Sequence, residues 1–427
     1  MNNNELEKNT VGGNADTEFD EKVSRRKPRS KKSAAKTIVC RCFISLGLTL
    51  VLILSLVWTL LYSVAHGPSE SLRDLLVMSA MQASATKWVP YLVLPADEVE
   101  AIIKNSNIGS TEVLDPDDLA DRTITKVVMG ADGVQYEIEV VVRPDGSEVV
   151  VNPDGTEQEF DEWETAIDGI QYITINRSTF RAYMLIIKDP SRVFVATSSD
   201  YKSGQAGKRF FEMAEMYNAV ALINGGEFSD PGGQGNGANP GGLTFSRGEC
   251  VWSDANTWKT FIGFNKDNKL VVFEGLTKEE AIAAGIRDGV CFMPSKTSSS
   301  SRLIYQDEEG KVYVNSYNSA GLAQRSAIAQ RADGAVILLT TDGRTSSSPG
   351  ANYNDITQLL YEYGAVSAGM LDGGSSAMLY YREYYKLYDI DYNSLGEYQK
   401  MGLVNQYVAF TTPRRIPTYF CVGKSGE

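Results

Sequence analysis

Two aspartates in the C-terminal half of this 427-residue chain each follow an apolar run and precede a glycine. Ala335 to Thr341 leads into Asp342-Gly343-Arg344, and Val366 to Leu371 leads into Asp372-Gly373-Gly374-Ser375-Ser376. A third carboxylate, Glu227, follows Asn224-Gly225-Gly226 at the end of the apolar run Ala219 to Ile223. The only histidine, His66, is far in sequence from all three, which argues against a Ser-His-Asp arrangement or a histidine-based zinc site. Proton transfer then falls to carboxyl groups. The bland alternative is that Asp-Gly at a strand end only makes a turn, and that Arg325 pairs with a structural carboxylate.

Positioning such groups needs strands that end together. Ala335 to Thr341 and Val366 to Leu371 read as buried strands, and Asn354 to Tyr363 between them reads as a helix. If the strands are parallel neighbours joined by that helix, both ends lie on one edge of the sheet. Asp342 and Asp372 would then face one cleft, where open α/β sheets usually bind ligands. Upstream, Gln171 to Ile175, Ala182 to Ile187 and Val193 to Thr197 read as strands, and Gly207 to Tyr217 as a helix. Thr277 to Glu280 has the form of a capping box ahead of a short helix. Gly232 to Gly237 is glycine-rich but lacks the Lys-Ser/Thr of a phosphate loop, so it reads as a mobile loop beside the cleft.

Four motifs occur in order: Asn224-Gly225-Gly226-Glu227-Phe228, Arg325-Ser326-Ala327-Ile328, Thr341-Asp342-Gly343-Arg344 and Leu371-Asp372-Gly373-Gly374-Ser375-Ser376. In this order they resemble the phosphodiester glycosidase family, over about Asp168 to Val422. The resemblance implies a mixed α/β (α+β) domain that cleaves a sugar from its phosphodiester, with N-acetylglucosamine the favoured sugar. It departs from the family at Glu227, where an aromatic or small residue is usual, and at Ala329, where glycine is common. Glu227 is thus either an acquired carboxylate or a tolerated surface change.

Glycosidic cleavage passes through an oxocarbenium-like state and usually employs two carboxyl groups, although a phosphate ester needs less protonation to leave than an alcohol. Asp372, Asp342 and Glu227 are the catalytic candidates. Arg325 and Arg344 offer planar donor forks to the phosphate. Asn224, Gly225, Gly226, Gly373, Gly374, Ser375 and Ser376 complete the expected substrate-binding set. No cofactor is identified. A divalent metal enters only through a second reading, a phosphodiesterase that uses the aspartates as ligands. A third reading is a noncatalytic envelope glycan-binding or exopolysaccharide-assembly protein.

Composition bounds the rest. The 15 Phe, 22 Tyr and 5 Trp can supply a packed core, and a net charge of −13 disfavours general nucleic-acid binding. Seven basic residues lie between Arg25 and Lys36, before an uncharged apolar stretch from Cys42 to Ala65. This predicts a single membrane span at 37–65 with residues 1–36 as a cytoplasmic tail and the remainder outside. Ser63-Val64-Ala65 supports the competing reading of a cleaved signal peptide. Residues 66–167 are expected to form a juxtamembrane stalk and accessory hairpins, with Asp-Gly turns at Ala131-Asp132-Gly133, Pro144-Asp145-Gly146 and Pro153-Asp154-Gly155. Residues 168–422 are expected to form the glycosidase-like domain. Three cysteines beyond the span, Cys250, Cys291 and Cys421, have no disulfide or zinc spacing.

Overall fold

The computed structural model describes residues 31–426 apart from 69, 82–85, 107–108, 114–121, 130–134, 144–147, 160, 162, 164–165, 202–203, 234, 255–257, 295–300, 308, 318–320, 346–347 and 408–410. Most of the tail, residues 1–30, and the turns Ala131-Asp132-Gly133 and Pro144-Asp145-Gly146 lie outside the described residues. The chain falls into two compact units, Met1–Leu60 and Leu61–Glu427.

In its described part the first unit is helical, within the helix Lys31–Ala65. Val39–Ala65 is long and apolar enough to cross a membrane. Side chains such as Leu46, Leu52, Leu56 and Leu60 stand exposed.

The second unit is mixed α/β, with several sheets. Its largest sheet has eight strands in the order Gly109–Val113, Val312–Tyr317, Arg302–Gln306, Ala365–Leu371, Ser326–Arg331, Val336–Thr341, Arg181–Ile187 and Ile170–Asn176. Each neighbouring pair is antiparallel. The first strand comes from the stretch read as juxtamembrane, and it pairs residue for residue with Val312–Tyr317 across about two hundred intervening positions. A separate four-stranded meander, Arg122–Met129, Gln135–Val142, Glu148–Val151 and Glu157–Glu159, fits the alternating runs between its turns.

The two aspartate-bearing strands are parallel to each other but are not neighbours. Ser326–Arg331 lies between them and runs against both, pairing Ser326 with Thr340 on one side and with Leu371 on the other. Asp342 and Asp372 therefore leave the sheet at the same edge, one or two residues beyond that shared level. The intervening strand is fully buried although it carries Gln330 and Arg331. Burial is tolerated because Gln330 is hydrogen bonded: Leu270 N donates to its Oε1 (2.7 Å), and its Nε2 donates to the Asn268 carbonyl (2.8 Å). The connecting helix, Tyr353–Glu362, is capped by Asn352, whose side-chain oxygen accepts from Asp355 N at 2.9 Å and whose backbone N–H donates to the Asp355 carboxylate in return.

A five-stranded antiparallel sheet, with Lys259–Asn265 and Ile286–Pro294 adjacent, packs on the large one. Contact is close enough that a Cβ on Gly369 would stand 2.7 Å from the Ile262 side chain. A smaller sheet of Leu379–Tyr381, Ala221–Asn224, Thr418–Val422 and Val193–Thr197 completes the core and delivers Asn224 to the site edge.

Candidate active site

Asn224 is wholly buried at the end of its strand, so its amide must find partners inside the protein. Its Oδ1 accepts from Ser326 Oγ (2.7 Å) and Met378 N (3.1 Å), and its Nδ2 donates to the Asp372 carbonyl (2.6 Å). Asp372 N donates to the Gly225 carbonyl at 3.1 Å. These bonds stitch the first, second and fourth sequence motifs into one unit. Gly225 and Gly226 are required by packing: a Cβ on Gly225 would overlap Thr418, and one on Gly226 the Cys291 carbonyl. The structure gives Asn224, Gly225 and Gly226 a positioning role behind the Asp372 turn.

After Asp372 the chain makes a short 3₁₀ turn, Gly374–Ser376, with Gly374 at φ +60°. Gly374 N donates to the Gln324 carbonyl (2.9 Å), and a Cβ on Gly373 would stand 2.8 Å from that same oxygen. The turn folds the Ser376 hydroxyl onto the Asp372 carboxylate. The Asp372 carboxyl is raised to about 7, chiefly by burial; the Ser376 hydrogen bond and the Arg414 charge oppose that rise, and the charges of Glu227 and Asp230 add to it. Such a group exchanges a proton near neutrality, as a general acid or base must.

Around it the charges are arranged as pairs. Glu227 Oε1 is ion-paired with Lys259 Nζ, and Glu227 Oε2 accepts from Met293 N at 2.8 Å. Asp230 is held by both guanidinium nitrogens of Arg414, at 2.8 and 2.6 Å. Arg344 differs. Its backbone is left-handed (φ +58°), and its guanidinium nitrogens stand 3.5 and 3.6 Å from where a Gly374 Cβ would lie. The residue as a whole is exposed, while partial burial of its guanidinium beside the Asp372 turn lowers its pKa from the usual arginine value.

Asp342 and Arg325 sit deeper. Asp342 is 3% exposed, and its two oxygens accept from the Tyr183 hydroxyl (2.9 Å) and Gln406 N (2.8 Å). Burial pushes its carboxyl up to about 6, against those two hydrogen bonds. Arg325 is 4% exposed; its Nε donates to the Ala351 carbonyl (3.0 Å), its Nη2 to the Gly321 carbonyl (2.5 Å), and its guanidinium lies over the Tyr353 ring. The Ser375 carbonyl takes a hydrogen bond from the Tyr407 hydroxyl at 2.5 Å.

The structure thus brings Asp372, Glu227, Arg344, Gly373, Gly374, Ser375 and Ser376 together, and sets Asp342 and Arg325 beneath them as clamps. Lys259, Asp230, Arg414 and Tyr407 join the site without having been picked out in the sequence. The one available signal for Lys259 was that an unexpected buried-edge carboxylate at Glu227 needs a countercharge.

Over 53 residues the chain is 42% identical to the SPbeta prophage-derived uncharacterized protein YomE of Bacillus subtilis (strain 168), covering 12% of this chain and 8% of that protein's length. Among solved structures, the zebrafish N-acetylglucosamine-1-phosphodiester alpha-N-acetylglucosaminidase catalytic domain, auto-inhibited by its pro-peptide, is similar at 15% identity with TM-score 0.42, covering 74% of this chain and 87% of that one. A putative exported protein from Burkholderia pseudomallei K96243 gives 12% identity and TM-score 0.37, covering 57% and 74% of the respective chains. A hypothetical protein from Synechocystis gives 13% and 0.36, covering 71% and 68%. The phosphodiester glycosidase family model matches residues 217–423, a span that holds all four motifs and the whole Asp372 cluster. Over residues 217–423 this chain matches the phosphodiester glycosidase family.

Proposed function

We propose that the chain hydrolyses a sugar-1-phosphodiester, with N-acetylglucosamine the sugar, in a cell-surface glycan or its precursor. The observation that carries this reading is the Asp372 carboxyl, poised near neutral pH on a turn whose mouth holds the Arg344 cation. Arg344 takes the phosphate oxygens, and Asp372 moves the proton. In the reaction the C1–O bond to phosphate breaks, a water oxygen bonds to C1, and the proton lost by water balances the one given to the leaving phosphate. The leaving group is a good one, so a single carboxyl of intermediate acidity suffices where an alcohol would need a stronger push. Glu227, ion-paired with Lys259, adds negative charge beside Asp372 and so keeps its proton on. Asp342 supports the neighbouring strand end.

The second reading is metal-assisted phosphorus–oxygen cleavage with the aspartates as ligands. Turnover of a sugar-1-phosphodiester in oxygen-18 water separates the two directly. Label is expected in the sugar. Label in phosphate would establish the phosphodiesterase reading, and no turnover across a substrate panel the glycan-binding one.

We further place the N-terminus in the cytoplasm and the catalytic domain outside, because basic residues precede the span and Glu70 and Asp74 follow it. A tag after Glu427 is expected to be digested by protease added to intact, wall-stripped cells. Protection of the tag reverses the orientation.

A further inference from the structure

The glycine-rich segment after Phe228 makes specific contacts at its described residues. Phe228 bridges to Pro240, and Ser229 N donates to the Asn239 carbonyl at 3.1 Å, closing the segment at its base. Inside it, Gly235 N donates to Asp230 Oδ1 at 2.6 Å. Arg414, which is 184 residues away in sequence, takes both Asp230 oxygens, reaches the Gly235 carbonyl at 3.3 Å and lies over the Phe228 ring, 4.9 Å from its centroid. On its other side the Arg414 amide donates to the Tyr407 hydroxyl (3.1 Å), and that hydroxyl donates in turn to the Ser375 carbonyl. Arg414 therefore joins the two places: its guanidinium holds Asp230 and Gly235, and its backbone amide holds Tyr407, which bonds the turn after Asp372.

We propose that Arg414 is a positioning residue of this site: its fork latches Asp230 and Gly235, and Tyr407 passes that position to the Ser375–Ser376 turn. The inference deepens the functional reading above and rests on it only for its activity arm. A planar fork suits this task, since it fixes Asp230 in angle as well as in distance, which a lysine ammonium would not. The same cation also sets the charge balance at Asp372. Facing that carboxyl are Ser376 from its own turn, Glu227 and Asp230 as anions, Arg414 as a cation, and the Tyr353 phenol from the helix below, with Arg344 over Gly374 beside the turn.

Three variants of the full chain separate latch from charge. Hydrogen exchange of residues 230–237 reads the latch, and carbon-13 titration of the Asp372 carboxyl, assigned with Asp372→Asn, reads the charge. Arg414→Lys is expected to speed exchange in the segment while leaving the Asp372 midpoint near that of the parent. Arg414→Gln is expected to do both: faster exchange, and a midpoint shifted up by less than the roughly 1–3 units of a directly contacting arginine. Asp230→Asn breaks the pair from the other end, and is expected to speed exchange and shift the midpoint down; it also serves if Arg414→Gln does not fold. On a sugar-1-phosphodiester, Arg414→Gln is expected to move the acid-to-neutral limb of kcat/KM upward in pH along with the midpoint. Unchanged exchange in all three variants, or an Asp372 midpoint indifferent to both Arg414→Gln and Asp230→Asn, overturns the proposal. Exchange and titration need no substrate, so a parent protein that turns nothing over rejects the hydrolase reading while leaving the latch under test.

Discussion

Asp372→Asn is expected to fold and to lose roughly 10²–10⁴-fold in kcat on a sugar-1-phosphodiester, the usual contribution of a general acid or base. The substitution keeps size and shape while removing the titrating proton. Glu227→Gln is expected to retain a substantial part of activity, because Glu227 acts on Asp372 through charge and its own oxygens are committed to Lys259 and Met293 N. The stability readout has a definite sign. The folded Asp372 carboxyl titrates at about 7 against about 3.9 in an unfolded chain, so between those values the folded state holds a proton that the unfolded state releases. Its contribution to stability is fully present below about pH 4 and is lost as pH rises through 7. Asparagine carries no such proton, so the variant is expected to gain on the parent from pH 4 to 8, by as much as a few kcal/mol. Thermal melts at both pH values, beside steady-state kinetics on folded protein, check the pair of effects. Near-normal turnover by Asp372→Asn alongside an inactive Glu227→Gln would make Glu227 the catalytic carboxylate instead.

Local signals made much of the frame legible. Val336–Thr341 and Ala365–Leu371 are runs of buried side chains close to where continuous apolar sequence put them, and Thr277 with Glu280 forms the capping box that its spacing spelled out. Pairing was harder. Nothing local in Ser326–Arg331 says that it divides those two strands, because its Gln and Arg look like surface residues until Gln330 is seen bonded to the 268–270 turn. Gly109–Val113 likewise gives no sign of a partner two hundred residues on. The site divides in the same way. Asp372 and its turn residues were readable because one short motif supplies the acid, the strand end and the bend. Lys259 and Arg414 were not, since ion pairs across 32 and 184 positions leave no spacing to read. The glycines of Asn224-Gly225-Gly226 signalled close approach correctly in kind, but what approaches is the hydroxyl and backbone of Thr418 and the carbonyl of Cys291.

The two arginines of the ordered motifs are expected to part company on substitution. Arg325 is buried, and its guanidinium satisfies two backbone carbonyls on separate loops while resting on Tyr353. A lysine keeps the charge but cannot serve both carbonyls, and each charge-assisted bond lost inside the protein costs about 1.5–3 kcal/mol. Arg325→Lys is therefore expected to lower the thermal midpoint by roughly 3–8 °C, with KM nearly unchanged for the molecules that remain folded. Arg344 is exposed as a residue, with its guanidinium over Gly374, and among the described residues no carbonyl accepts from that guanidinium. Arg344→Gln is expected to leave stability within about 0.5 kcal/mol of the parent. Glutamine tolerates the left-handed backbone no better or worse than arginine, so the comparison isolates the guanidinium. If that group meets the phosphate, its loss removes a charge-assisted contact of about 1.5–3 kcal/mol and raises KM on the order of 10- to 150-fold. Measuring KM and the melting midpoint for both variants crosses the two readouts. A stable Arg325→Lys with a large KM, set against an Arg344→Gln that melts early and binds normally, would exchange their roles and move the phosphate contact inward to the Tyr353 helix.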